Sequence, residues 1–368
     1  MTIGEILLYT FYLISAIHFV YLSIQWIFIT IPETASEGRT DAVSVIICAK
    51  NEENTLPQLL SSLKKQNYKH YEIVLVNDAS TDDTLEIMES FAEENQNITV
   101  VDVMPNDRFW KGKKFALTMG IKKAKHDFLL FTDADCSIVS SNWISSIINS
   151  YKPETEIVLG YGAYKKTKGL LNKVVRFETV LTASNYFSFA KVFTPYMGVG
   201  RNLSYKKDLF FNTNGFYGHM DVASGDDDLF INKNATTQNT EIVFSEDSFT
   251  TSEAPNKWRD WYIQKRRHYS TSSFYSKKTK ALLGLQGLSH LLFFVLLTTL
   301  LVLKEQPIIV LGIFAVRTIF YAITIGSSAS KLKEKDLILF VPFLDVILIT
   351  LQISILISNK LIYPKRWH

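Results

Sequence analysis

The sequence predicts an α/β protein with a Rossmann-like, mostly parallel sheet flanked by transmembrane helices. Three observations predict this class. Residues 6–31 contain no Lys, Arg, Asp or Glu, a longer stretch than the roughly 20 residues a helix needs to cross a bilayer. Three further apolar stretches lie near the C-terminus, and between the two ends short apolar runs alternate with polar loops and helical patterns.

The first stretch is read as a retained anchor. No basic segment precedes it, its apolar part is too long for a cleaved signal, and no small-residue cleavage site follows. At the other end, residues 281–303 are uncharged, residues 307–326 carry only Arg317, and residues 337–359 carry only Asp345. Four spans are therefore expected. An unpaired charge at membrane depth is costly, so Arg317 and Asp345 are expected to face each other, with a polar contact to an acceptor as the functional alternative. His290 in the second span is read as a packed, hydrogen-bonded residue rather than a ligand.

In the soluble middle, residues 43–49 form a continuous apolar run typical of a strand covered on both faces. A helix over residues 55–66 follows, with Leu56, Leu59, Leu60 and Leu63 on one face. Residues 71–76, 98–103 and 128–132 read as further strands, the last running straight into Asp133-Ala134-Asp135. Strand–loop–helix repetition implies a parallel sheet, whose ligands sit beyond the carboxyl ends of the strands. Residues 50–52 and 77–82 should then share one crevice. Lys111-Gly112-Lys113-Lys114 opens a helix over residues 115–124, a helix start suited to a phosphate.

Beyond residue 252, Trp258, Trp261 and Tyr262 interleave with Lys257, Arg259, Lys265, Arg266 and Arg267, the pattern of an amphipathic segment at headgroup level. A net charge of +3 is too small to argue for a nucleic-acid partner, and none is expected. Cys48 and Cys136 fall in apolar surroundings and are expected to be buried thiols rather than a disulfide.

Three constellations carry chemistry. Asp133 and Asp135 can reach one cation together with its bound diphosphate, because Mg²⁺ and Mn²⁺ take oxygen ligands and borrow some from phosphates; a solvated polar loop is the structural alternative. Ser224-Gly225-Asp226-Asp227-Asp228-Leu229 crowds three carboxylates, and mutual repulsion raises at least one pKa toward that of a general base. An acidic cap on the helix over residues 229–234 is the alternative there. Gln264-Lys265-Arg266-Arg267-His268 offers Arg267 as a bidentate phosphate clamp, or a basic patch for lipid headgroups.

Across residues 43–270 the order of these elements resembles the family 2 glycosyltransferases of the GT-A fold, in the membrane-bound branch that includes polysaccharide synthases. Asn77-Asp78-Ala79-Ser80-Thr81-Asp82-Asp83-Thr84 is similar to the family's Asp-Asp-x-Ser-x-Asp-x-Thr loop, which implies that Asp78 holds the nucleotide base; the first Asp is Asn77 here. Glu52 matches the family's nucleoside contact, and Lys113 its phosphate contact. Asp133 and Asp135 match the metal-binding Asp-x-Asp, with Asp133 on the donor side too. Gly200-Arg201-Asn202-Leu203-Ser204-Tyr205 is similar to the acceptor-side region, which implicates Asn202. The acidic cluster corresponds to the catalytic-base motif: aligning on Gly225 picks Asp227, the first choice, and aligning on Leu229 picks Asp226. Gln264 to His268 resembles Gln-x-x-Arg-Trp, which implies donor contacts from Gln264 and Arg267 and puts His268 on the acceptor side where Trp is usual.

The resemblance implies residues 1–32 as an N-terminal transmembrane helix, 33–252 as the GT-A domain, 253–280 as the interfacial segment, and 281–368 as three transmembrane helices and a tail. It implies an inverting, Mg²⁺- or Mn²⁺-dependent transfer from a nucleotide-sugar, a UDP-sugar in the first instance, to a lipid-linked or glycan acceptor. The catalytic domain would face the cytoplasm of the cell inner membrane. Lys331, Lys333 and Lys335 fit the positive-inside tendency, whereas Lys360, Lys365 and Arg366 do not. Single transfer is preferred over processive synthesis because of His268 and the small number of spans; a catalytically inactive nucleotide-sugar-binding scaffold and a four-span transporter are the readings from other classes.

Overall fold

The computed structural model describes residues 1–33, 38–104, 112–222 and 224–361. Lys111, Lys365 and Arg366 lie outside the described residues.

Helix α1 (Ile3–Thr30) opens the chain, and strand β1 (Val43–Ala49) begins the α/β part. Helix α2 (Leu56–Leu63), strand β2 (Tyr71–Asp78), helix α3 (Thr84–Glu94) and strand β3 (Ile98–Val103) follow. Next come α4 (Lys113–Lys123), β4 (Phe128–Asp133), β5 (Cys136–Ile138), α5 (Trp143–Ile148), β6 (Ile157–Leu159) and β7 (Gly162–Tyr164). A long helix α6 (Leu170–Val192) precedes β8 (Leu203–Lys206), α7 (Lys207–Asn212), α8 (Asp228–Asn234), β9 (Thr240–Ile242) and β10 (Thr250–Ser252). The chain continues through α9 (Trp258–Thr271), α10 (Lys277–Leu303), α11 (Pro307–Lys331) and α12 (Val341–Leu361).

Seven strands form the main sheet in the order β3-β2-β1-β4-β8-β6-β9. All run parallel except β8, which is antiparallel to both its neighbours. The continuous apolar runs follow from coverage on both faces. Ile46, Val74 and Val76 pack with Ala116, Leu117 and Ile121 of α4, while Val45, Ile47 and Leu75 pack with Leu59, Leu60 and Trp143 of α2 and α5. Gly120 lets α4 lie close to the sheet: a Cβ there would stand 2.6 Å from Val76 Cγ2. A small sheet, β5-β10-β7, flanks the carboxyl end of β4.

β1 lies between β2 and β4, and in register Ala49 stands opposite Asn77 while Cys48 stands opposite Asp133. The loops after β1, β2 and β4 therefore leave the sheet side by side at the point where the strand order reverses, the place where such sheets bind ligands.

Among the described residues, four helices are long and apolar enough to cross a membrane. Part of α1, α10 and α11 forms a small cluster of its own around Phe11, Phe293 and Val310, while the rest of the helices joins the core of the α/β part. Tyr21, Phe28, Tyr321 and Leu344 belong to the same buried cluster as Ile46, Phe131 and Phe187, and α6 packs against α1, α11 and α12. Arg176 of α6 ion-pairs with Glu334 and with Asp336 at 2.6 Å, and Lys333 reaches Glu246 at 3.0 Å. Lys331 Nζ donates to the carbonyls of Phe28 and Ile31. The connection between α11 and α12 is thereby fastened to the α/β part and to the end of α1.

Arg317 and Asp345 do face each other, with Nη1 2.6 Å from Oδ2. His290 Nε2 lies 3.2 Å from Asp345 Oδ1 and 3.1 Å from Arg317 Nη2. Both cysteines are free thiols; Cys136 is buried and Cys48 is half-buried beside the cleft.

Candidate active site

The loops after β1 and β2 are laced together by side-chain-to-backbone bonds. Asn51 N–H donates to Ser80 Oγ (3.0 Å), Glu52 N–H to Thr84 Oγ1 (2.8 Å), and Thr81 N–H to Asn51 Oδ1 (2.9 Å). Asn51 and Ala79 sit at φ 57° and 53°, left-handed conformations that non-glycine residues adopt at a cost and that concentrate at functional sites. Asn77, where the resembled loop has Asp, is buried, donates through its amide to Asp102 Oδ1 (2.7 Å) and accepts from Ser80 N–H (3.1 Å). A carboxylate there would meet Asp102 as a like charge; the amide turns the same place into a hydrogen bond.

These loops form one wall of a cavity of 1940 Å³, about twice the upper size of an ordinary small-molecule site. Glu52, Asp78, Lys113, Asp133 and Asp135 line it on the sheet side, Asp226 and Asp227 on the α8 side, and Gln264, Arg267 and His268 on the α9 side. Burial raises the pKa of Glu52 and of Asp78 above the carboxylate norm. Asp135 is raised too, first by the surrounding protein mass and then by repulsion from Asp133, although its side chain opens onto the cavity. His268 is likewise open to the cavity yet walled by protein, and that burial together with Lys265 and Arg267 holds it well below the usual histidine value, hence neutral.

Lys113 joins the two acidic groups. Its Nζ lies 2.7 Å from Asp133 Oδ1 and 3.1 Å from Asp226 Oδ2. Burial alone would lower the Lys113 value, but the two carboxylates hold it well above the norm.

The three consecutive acids have three different surroundings. Gly225, at φ 97°, makes the turn that fans them out, a conformation open to glycine. Asp226 faces Lys113; burial would raise it, but the ammonium prevails and it is lowered. Asp227 spends both oxygens on backbone N–H groups, Oδ2 on Gly200 (2.8 Å) and Oδ1 on Asp228 at the start of α8 (2.7 Å). Burial, then Asp226 and Asp228, push it up to about 7. Asp228 turns the other way: its Oδ2 accepts from Thr271 and from the Tyr275 hydroxyl (2.8 Å), tying α9 and its C-terminal turn to the acidic turn.

The structure does not bring Asn202 to the cavity. It is fully buried, accepts from Trp143 Nε1 (3.2 Å) and donates to the carbonyls of Tyr161 (2.8 Å) and Ser248 (2.7 Å). Because β8 begins opposite the end of β4, it is Gly200 and Arg201 that reach the cavity, with the Arg201 guanidinium 4.3 Å over the Tyr164 ring. The acceptor-side expectation for Asn202 is corrected accordingly: its amide is consumed in holding that segment.

The sequence assigned no role to two further residues. Glu178 of α6 ion-pairs with Lys265 at 2.7 Å inside the cavity wall, a position no motif announces. Lys114 is buried, and its Nζ donates to the carbonyls of His219, Val222 and Ser224 (2.7, 2.7 and 2.6 Å), gathering the loop that leads into the acidic turn.

Residues 44–216 match the family model described as Glycosyl transferase family 2. That similarity to glycosyl transferase family 2 covers a little under half of the chain, and the fold is the GT-A fold. Among curated relatives, a 4,4'-diaponeurosporenoate glycosyltransferase of Staphylococcus haemolyticus is 37% identical over 116 residues, 31% of this chain and 30% of that protein. A poly-beta-1,6-N-acetyl-D-glucosamine synthase of Staphylococcus aureus is 29% identical over 140 residues, 38% of this chain and 32% of that protein. The matched stretch thus spans about a third of the length of these relatives. Among solved structures, a mannosyltransferase from Pyrobaculum calidifontis in complex with GDP-Man and Mn2+ superposes with a TM-score of 0.57 at 18% identity, covering 89% of this chain and 99% of that one.

Proposed function

We propose that the chain is an inverting glycosyltransferase that moves a sugar from a nucleotide-sugar to an acceptor at the membrane. One observation carries the reading: Lys113 stands between Asp133 and Asp226, 93 residues apart in sequence, at the switch point of the sheet. Two carboxylates and a phosphate-seeking cation meet there, where the strand order reverses.

Asp133 and Asp135 suit a divalent cation. They are two oxygen donors whose mutual repulsion a cation would relieve, and among the described residues no third His, Cys, Asp or Glu completes a cage. That donor set fits Mg²⁺ or Mn²⁺, which leave coordination places for phosphate and water, and the mannosyltransferase of the same fold is a complex with Mn2+. When bound, the cation would neutralise charge on the departing diphosphate.

The remaining steps belong to side chains. Glu52 and Asp78 hold the nucleoside, and Lys113 and Arg267 receive the diphosphate. Asp226 takes the proton of the acceptor hydroxyl as its oxygen bonds to the anomeric carbon and the bond to the diphosphate breaks. Asp226 is preferred over Asp227 because the two oxygens of Asp227 already accept backbone bonds, whereas the partner of Asp226 is the lysine that the donor would recruit. As Lys113 turns to phosphate, Asp226 loses the charge that depresses its basicity. The base is thereby strengthened when the donor is in place.

The cavity continues past the acidic turn between the apolar helices, where Leu22, Leu283, Leu288 and Ile353 line it. This supports a lipid or lipid-linked acceptor and a single transfer; a neutral His268 in place of an aromatic platform weighs against processive synthesis. The lysines of the α11–α12 connection, fastened to the α/β part, support a cytoplasmic catalytic face. The test is a screen of nucleotide-sugars with purified full chain, Mn²⁺ and membrane lipid extract. Cation-dependent appearance of glycosylated lipid with nucleoside diphosphate is expected; no release from any donor would refute the reading, and polymer growth would favour the synthase alternative.

A further inference from the structure

The inner end of the cavity is not apolar. His18 of α1, His290 of α10 and Tyr321 of α11 line it together with the acidic residues at its mouth. Arg317 Nε donates to His18 Nε2 (3.1 Å) while its Nη1 is taken by Asp345. Arginine has hydrogens and no lone pair to offer, so His18 Nε2 must be the acceptor. The neutral ring then carries its hydrogen on Nδ1. That Nδ1 belongs to a side chain 4% exposed and has no hydrogen-bond partner among the described residues. A buried N–H without an acceptor is costly, the more so among helices at membrane depth. The ring is held in place by stacking on His290 and Phe293, at 5.0 and 5.7 Å between centroids, so it presents the donor in a fixed direction.

We propose that the inner reach of the cavity takes the apolar chain of the acceptor and that His18 Nδ1–H binds an oxygen carried on that chain. The acceptor is then an amphiphile with oxygen at both ends: a hydroxyl or carboxyl near Asp226 that receives the sugar, and a second hydroxyl, carbonyl or carboxyl at membrane depth. Leucines of α1 and α10 cover the hydrocarbon between them. Gly284 and Gly287 of α10, where an added Cβ would meet nothing within 4 Å, leave width for it. This rests on the glycosyltransferase reading for the identity of the ligand as acceptor, but the site itself is testable by binding alone.

The probes are long-chain α,ω-diols and the mono-alcohols of equal length, titrated against the full chain in detergent micelles. At the chain length that spans the cavity, the diol is expected to bind about tenfold tighter, the worth of one net hydrogen bond to a buried donor. His18→Phe should abolish that preference while leaving mono-alcohol binding intact. His18→Gln, which can still accept from Arg317 and donate onward, should restore part of it. Equal binding of diol and mono-alcohol by the wild-type chain at every length would overturn the proposal, whatever the variants do. So would a preference that survives in His18→Phe. If the diol preference holds while no nucleotide-sugar is turned over, the inner site stands and the enzymatic reading falls; the reverse pattern removes the site and leaves the enzyme.

Discussion

Replacing Asp226 by Asn changes one charge at nearly constant shape and separates the two acids that compete for the role of base. A positioned general base contributes roughly 10²–10⁴ in rate, or about 2.7–5.5 kcal/mol of barrier. Asp226→Asn should therefore lower kcat by at least two orders of magnitude. Donor binding should not suffer. The substitution deletes the anion 3.1 Å from Lys113 and leaves the ammonium freer for phosphate, so the Kd for the nucleotide should stay equal or fall. Asp227→Asn keeps one acceptor oxygen and loses the charge that receives the Gly200 and Asp228 N–H groups. Its main cost is to the turn, on the scale of a lost helix cap, about 0.5–2 kcal/mol, with kcat down by no more than roughly tenfold. The assay is transfer to extracted lipid under saturating donor, alongside nucleotide binding by titration. The reasoning fails if Asp227→Asn is the inactive variant and Asp226→Asn retains a tenth or more of kcat.

The pH profile offers an independent reading of the same question. A base works ionised, so activity is present above its pKa and lost as pH falls through it. With Lys113 holding Asp226 low, kcat/KM should stay level from neutrality down to about pH 5, near the ordinary carboxylate range; an acid limb centred near 7 would point to Asp227, which is pushed up to about 7. Asp133→Asn should weaken nucleotide binding in the presence of Mn²⁺ and leave it equal or tighter in chelator, because it also frees Lys113; a loss equal in both would remove Asp133 from the cation site. Lys114→Met deletes the charge that holds three carbonyls and should destabilise that loop by about 1.5–3 kcal/mol or more, seen as faster proteolysis near residues 219–224. Asp345→Leu leaves Arg317 buried without its carboxylate and should cost about 3–5 kcal/mol, with the Arg317→Leu/Asp345→Leu double variant milder than either single; thermal unfolding in detergent decides, and a double variant worse than both would refute the pairing account.

The parallel strands and their loops were legible because a strand covered on both faces must be apolar throughout, and β1, β2 and β4 are long enough to show it. β5, β6, β7, β9 and β10 have three residues each, too few for any period to register. The acidic triplet illustrates a second limit. Three adjacent Asp residues are equivalent on paper, yet one faces a lysine, one caps a helix and one anchors α9. Lys113 and Lys114 differ in the same way, since one step around a helix carries one to the cavity and the other beneath a loop. Asn202 shows that a motif fixes order along the chain but not the direction in which a side chain leaves it. His18 escaped notice because an uncharged span looks uniform until a neighbour such as Arg317 gives one of its rings a defined hydrogen.

The shared part of the core joins the apolar helices to the α/β half along α6. α6 turns buried Val174, Phe177 and Phe187 into the same cluster that holds Tyr321 and Leu344, so trimming away the terminal helices would strip greasy surface from the middle of the α/β half. A secreted or tag-solubilised fragment ending at residue 252 should clump rather than behave as a free-standing enzyme. The apolar helices, in that sense, complete the surface on which the α/β half folds.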